Sequence, residues 1–118
     1  MNAHDVLNRL VALIPDFAAV WDRSTNCFRE DDGSFTRCGV FAEFSHYFRD
    51  RYEQFNETQV AELGRFVTEC VASADTELGD AAATSFLENV AGEHFSADFR
   101  RQLSGEALKV YSQWDRST

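Results

Sequence analysis

Apolar side chains recur at helical spacing through most of the chain. In residues 3–14, and beyond Pro15 in 16–21, they are Val6, Leu7, Leu10, Val11, Ile14, Phe17, Val20 and Trp21. Steps of three and four residues place them on one face of a helix. Pro15 cannot donate to a helical ladder, so a break or bend is expected there. From Asp22 the residues turn polar and end in Glu30-Asp31-Asp32-Gly33-Ser34, a strong turn signal. Residues 22–35 are therefore expected to form an acidic loop between the first and second helical segments.

Residues 36–54 predict a helix whose arc of Val40, Phe41, Phe44, Tyr47, Phe48 and Tyr52 is apolar, with Arg51 among them. Glu43, His46, Asp50 and Glu53 occupy the opposite arc. Asn56, followed three residues later by Gln59, has the spacing of a capping box. The helix it opens is expected to run to about Glu77. It would bury Val60, Leu63, Phe66, Val67, Cys70, Val71 and Ala74, leaving Glu62, Arg65 and Glu69 outside.

Gly79 is expected to stop that helix and Asp80 to cap the next, residues 81–94. Ala83, Phe86, Leu87 and Val90 share one face of it. The other face, with Ala81, Thr84, Ser85 and Gly92, is small and scarcely charged, which predicts packing on two sides. Ser96 and Ser104 read as N-caps of a short helix at 97–102 and a last one carrying Leu108, Tyr111 and Trp114. No run of alternating β-branched residues competes. The expected fold is all-α: a single compact domain over residues 1–118, an irregular bundle of five to six helices.

The pentapeptide WDRST occurs at Trp21–Thr25 and again at Trp114–Thr118. The segments before the two copies, PDFAAV and KVYSQ, share only helical apolar spacing. A duplication would extend further. Two helix ends of similar composition, each a Trp closing an apolar stripe before a polar run, account for the repeat.

Composition sharpens the functional side. A chain of 118 residues, 44% apolar and with eleven Phe, can bury one core, and disorder is not expected. Twenty acidic against eleven basic residues give a net charge of -9. Such a surface repels nucleic acid and anionic membranes and attracts basic proteins. Cys27, Cys38 and Cys70 are an odd set without a CxxC pair, and neither a secretory signal nor a bilayer-spanning apolar run is present. A reducing cytoplasm is the expected location.

Catalytic and metal signatures do not assemble. With Gly33 in the sixth position of a calcium loop, Phe28 would stand first and Gly39 twelfth, where acids are required. Cys27 and Cys38 lack zinc-ligand spacing. Glu43 and His46 form one Glu-x-x-His, whereas a di-iron bundle needs two. His94 shares the apolar side of its helix and is expected to be a hydrogen-bonded, largely buried histidine. No Gly-x-Ser-x-Gly elbow or phosphate-cradling glycine loop occurs. Neither an enzyme nor a metal or cofactor is expected. The alternative is a small helical metal-binding or catalytic bundle using His46, His94 and nearby carboxylates.

A surface for a protein partner fits the sequence better. Glu30, Asp31 and Asp32 on the loop continue into Glu43, Asp50 and Glu53 on the next helix. At the edge of the aromatic arc, Tyr47, Arg51 and Tyr52 are residue types enriched among interface anchors. ATSFLENV, then F-x3-F, L-x4-L and a terminal WD within residues 80–115, together with CGVFAEFSHYF, resemble a domain of unknown function. It is carried by small, acidic, all-helical bacterial proteins, some of which resemble immunity proteins of polymorphic or contact-dependent toxin systems. The likeness spans about residues 36–115 and transfers no site residue. It implies binding to a cognate toxin with a basic surface, a nuclease being one candidate, with no direct contact to nucleic acid or membrane.

Overall fold

Asn2 and Asn56 open their helices by the same exchange of hydrogen bonds. The Asp5 amide donates to Asn2 Oδ1 and the Asn2 amide to Asp5 Oδ2, both at 2.9 Å. Gln59 and Asn56 do likewise at 2.8 and 3.0 Å. Each box satisfies backbone donors that a helix start leaves without partners. The computed structural model describes residues 1–23 and 25–115. Among the described residues it is all-α, without a strand.

Seven helices form among the described residues: α1 (Ala3–Leu13), α2 (Phe17–Trp21), α3 (Arg37–Arg51), α4 (Glu57–Val71), α5 (76–90), α6 (Ser96–Arg100) and α7 (Gly105–Trp114). The count exceeds five to six because Pro15 splits the first segment in two. Helix α3 tightens into a 3-10 turn at Tyr52–Gln54. Helix α5 consists of Thr76–Ala82, a π turn at Ala83–Leu87 and a final Glu88–Val90. The Cα radius of gyration, 13.4 Å, is that of one compact domain of this length.

Several boundaries differ from the sequence expectation. Helix α4 ends at Val71 rather than near Glu77, and Ala74 is exposed. Asp75 starts α5 by accepting from the Leu78 amide at 3.2 Å, so Gly79 lies inside a helix and Asp80 caps nothing. Gly79 is there because backbones meet: a Cβ on it would stand 3.2 Å from the Val71 carbonyl oxygen. The chain leaves α5 at Val90, short of His94, and Gly92 adopts φ 78°. Ser96 is the first residue of α6, with Phe95 in the cap position. Ser104 does precede α7, but its side chain makes no capping bond.

The core follows the arcs read from the sequence. Val6, Leu10 and Phe17, then Val40, Phe41, Phe44 and Phe48, then Leu63 and Val67 are fully buried. Helix α5 contacts α3, α4 and α7 and buries Ala81, Ala82 and Ala83, but of the small face read from the sequence only Ala81 is buried: Ser85 is half-buried, and Thr84 and Gly92 are exposed. A polar seam joins α3 to α5: Asn89 Nδ2 donates to Ser45 Oγ at 3.2 Å, and Arg49 donates to the Asn89 carbonyl at 3.3 Å. Beneath α7, the Tyr111 hydroxyl donates to Ser96 Oγ at 2.9 Å, and Ser96 in turn faces the Val90 carbonyl at 3.4 Å. Burial pushes the Tyr111 phenol up to about 12.

Trp21 and Trp114 close α2 and α7, as the reading of WDRST expects. Of the polar runs that follow, Ser24 and residues 116–118 lie outside the described residues. The two aspartates differ: Asp22 is exposed, whereas Asp115 is buried and paired with Arg100.

One close approach yields a direct test. Gly64 on α4 passes so near the turn after α6 that a Cβ would lie 2.4 Å from Gln102 Cβ and 2.6 Å from its carbonyl oxygen. Backbone must then move, since the obstacle includes main chain. Alanine gains up to about 1 kcal/mol in helix propensity, while overpacking costs about 1–3 kcal/mol. Gly64→Ala is expected to be a net destabilisation, read as a lower urea midpoint with an unchanged slope.

Candidate functional site

The acidic loop is tied down on both sides. Asn26, buried, donates from Nδ2 to the Trp21 carbonyl at 2.8 Å and accepts from the Phe28 amide at 3.0 Å. Arg29 donates to the carbonyls of Asp22 and Arg23 at 3.0 and 3.2 Å, drawing the outgoing chain back to the end of α2. Phe35 rests between His4 and Trp21, with ring centroids 4.6 and 5.0 Å away. Phe28 crosses the start of α3 and approaches the His46 ring at 6.2 Å. The loop thus lies along the polar side of α3.

Glu30 to Ser34 form the tip. The Gly33 amide donates to the Glu30 carbonyl and the Glu30 amide to the Ser34 carbonyl, each at 2.9 Å. Gly33 has φ 86°, a conformation in which side chains with a Cβ are strained. The Asp32 carboxylate accepts from the Ser34 amide at 2.9 Å. Hydrogen bonding from Ser34, side chain first and then backbone, holds its carboxyl below the usual range. Glu30, Asp31 and Asp32 are all exposed.

Helix α3 supplies the second part. Glu43, Tyr47 and Asp50 follow one another at four and three residues, the spacing of a single stripe. Asp50 is exposed, while Glu43 and Tyr47 are half-buried. Tyr47 leans on Phe17 and Phe55, both with centroids 5.7 Å away, and burial raises its phenol pKa. The Arg51 guanidinium stands 5.9 Å above the Tyr47 ring. Glu53, on the 3-10 turn, meets His94 Nε2 at 2.6 Å. The structure places Glu30, Asp31 and Asp32 on the exposed loop tip by the first turns of α3 and Asp50 on the exposed side of its last turns, keeps Tyr47 half-buried beneath Arg51, and directs Glu53 to His94.

His94 departs from the sequence expectation of a buried histidine. Its side chain is 71% exposed, because α5 stops at Val90 and the left-handed Gly92 carries the following residues off the apolar face. Among the described residues, no group of three or more His, Cys, Asp or Glu could hold a metal ion. No helix among them is long and apolar enough to cross a membrane.

Sequence reasoning missed one feature outright. Asn2, Thr36 and Asp75, the N-caps of α1, α3 and α5, border an open depression of about 810 Å³. Arg37 spans it, donating to Asp75 at 2.7 Å, Glu77 at 3.2 Å and the Met1 carbonyl at 3.2 Å. The Arg37 hydrogen bond is the main cause of a lowered Asp75 pKa. Capping residues were visible signals here; their convergence was not.

The cysteines divide by environment. Cys27 and Cys38 are exposed, whereas Cys70 is buried on α4 and desolvation pushes its thiol up to about 12. A chromogenic disulfide reagent at mildly alkaline pH is expected to titrate two thiols in the native protein. The third should react only after urea is added, and a Cys70→Ala variant should lose that late reaction.

A family model described as a domain of unknown function (DUF7674) matches residues 7–117. No curated protein and no solved structure matches the chain.

Proposed function

The chain belongs to this family of domains of unknown function, and from that premise we propose that it is an immunity protein acting in the cytoplasm, which neutralises a cognate bacterial toxin by covering a basic face of it. The observation that carries the reading is the anchored acidic loop lying along the polar side of α3. Asp31 and Asp50 are exposed, and their side chains enter no ion pair among the described residues. Their charge is therefore directed outward.

A nuclease toxin must attract phosphates, so its working face is basic. An acidic inhibitor occupies that face by presenting the charge of the substrate, which speeds encounter and enforces choice of partner. Because the loop is already fixed by Asn26, Arg29 and Phe28, little ordering entropy opposes binding. Tyr47 and Arg51 at the margin would supply the apolar and planar contacts that hold a complex once charge has brought it together.

The test is protection. The reading frame beside this chain is expected to encode a toxic C-terminal domain, and cells expressing that domain are expected to grow when this chain is co-expressed. A chain carrying Asp31→Lys and Asp50→Lys should keep its thermal midpoint but associate about tenfold or more slowly with that domain, with a weaker dependence on salt. An unchanged association rate removes this surface from the interface. Failure of the unaltered chain to protect removes the function itself.

A further inference from the structure

We propose that Cys27 and Cys38 are a dithiol modification site, which closes to an intramolecular disulfide on reaction with a low-molecular-weight disulfide such as glutathione disulfide. Ten residues separate them in sequence, but the fold brings their neighbours into contact. A Cβ at Gly39 would stand 3.1 Å from Phe28 Cβ and 3.4 Å from the Phe28 carbonyl oxygen. Each cysteine is one residue from that crossing, a Cα step of about 3.8 Å. Glycine at 39 permits the approach, because a larger residue would hold the incoming arm of the loop away from α3.

Both cysteines are exposed and line the same open cavity of about 330 Å³, together with Ser34, Thr36 and Glu30. The cavity gives a small disulfide access to either thiol. Cys70 is excluded by burial, so modification is confined to this pair.

The reaction balances without a further reagent. One cysteine, as thiolate, attacks a sulfur of glutathione disulfide, releasing one glutathione and leaving a mixed disulfide. The second cysteine gives up its proton and attacks the protein sulfur of that mixed disulfide, releasing the other glutathione. Two protein thiols are oxidised and one glutathione disulfide is reduced to two thiols. The ring so formed contains Glu30, Asp31 and Asp32, and it fastens the acidic tip to the first turn of α3. This inference stands independently of any toxin partner.

The full-length protein, incubated with glutathione disulfide and analysed by intact mass and peptide mapping, is expected to lose two hydrogens and retain no glutathione. Its native-reactive thiols should fall from two to none, and dithiothreitol should restore both. Cys27→Ser should instead hold glutathione on Cys38, since no second thiol can displace it. Phenylarsine oxide, which bridges neighbouring thiols without oxidation, should be retained by the unaltered protein and not by Cys27→Ser. Stable glutathione on both cysteines, a disulfide-linked dimer, or unreacted thiols would each overturn the proposal.

Discussion

Phe48→Ala is expected to destabilise the protein by about 3–5 kcal/mol, the range for deleting a fully buried phenylalanine. Its ring is completely buried and lies within 5.2–6.1 Å of six others: Phe44, Tyr52, Phe55, Phe86, Phe95 and Phe99. These come from α3 and the chain just after it, from α5, and from the segment that forms α6. One truncation therefore opens a cavity where three parts of the bundle meet, and stacked neighbours cannot all move inward. Domains of this size have a total stability of about 5–15 kcal/mol, so a large fraction is lost. Urea unfolding followed by near-ultraviolet circular dichroism measures it. Tyr47→Ala, at a half-buried position on the same helix, should cost less; equal losses would contradict the central place of Phe48.

The second large effect is expected at Asp115. Its side chain is fully buried, is ion-paired with Arg100, and accepts from the Gly92 amide at 3.2 Å. Asp115→Ala leaves a guanidinium only 26% exposed without that carboxylate, and it leaves the amide of a left-handed glycine without this acceptor. Breaking a buried pair from one side costs about 3–5 kcal/mol, most of it the desolvated charge left behind. Replacing both partners, as in Arg100→Met with Asp115→Leu, should recover much of the loss, because the penalty lies in the orphaned charge. Thermal melts of the two single variants and the double variant form a cycle that measures the coupling. Asp22→Ala, in the other copy of WDRST, serves as the control: its side chain is exposed, so a change within about 0.5 kcal/mol is expected. Equal effects at the two positions would refute the assigned difference in environment.

Much of the candidate surface was legible beforehand. An acidic turn followed by an amphipathic helix is a local pattern, and Glu30, Asp31, Asp32 and Asp50 are indeed exposed. What the pattern could not convey is that Phe28 seats the loop against Gly39 and His46, or that His94 reaches Glu53. Those contacts join residues distant in the chain, and no local period encodes them. The cavity that Cys27 and Cys38 share was hidden for the same reason.

Helical class, the buried arc from Val40 to Phe48, the box at Asn56 and Gln59, and the net charge all followed from the residues themselves, since each depends on spacing within a turn or two or on a sum over side chains. Tertiary packing alone decided which chemically equivalent residues left water. Gly79 became a contact inside a helix because α4 and α5 come together there, and Asp115 became a buried anchor while Asp22, in an identical pentapeptide, stayed in solvent. The two aspartates met different neighbours: Arg100 and Gly92 stand beside Asp115, and the cost of burying a carboxylate is met where such partners are at hand.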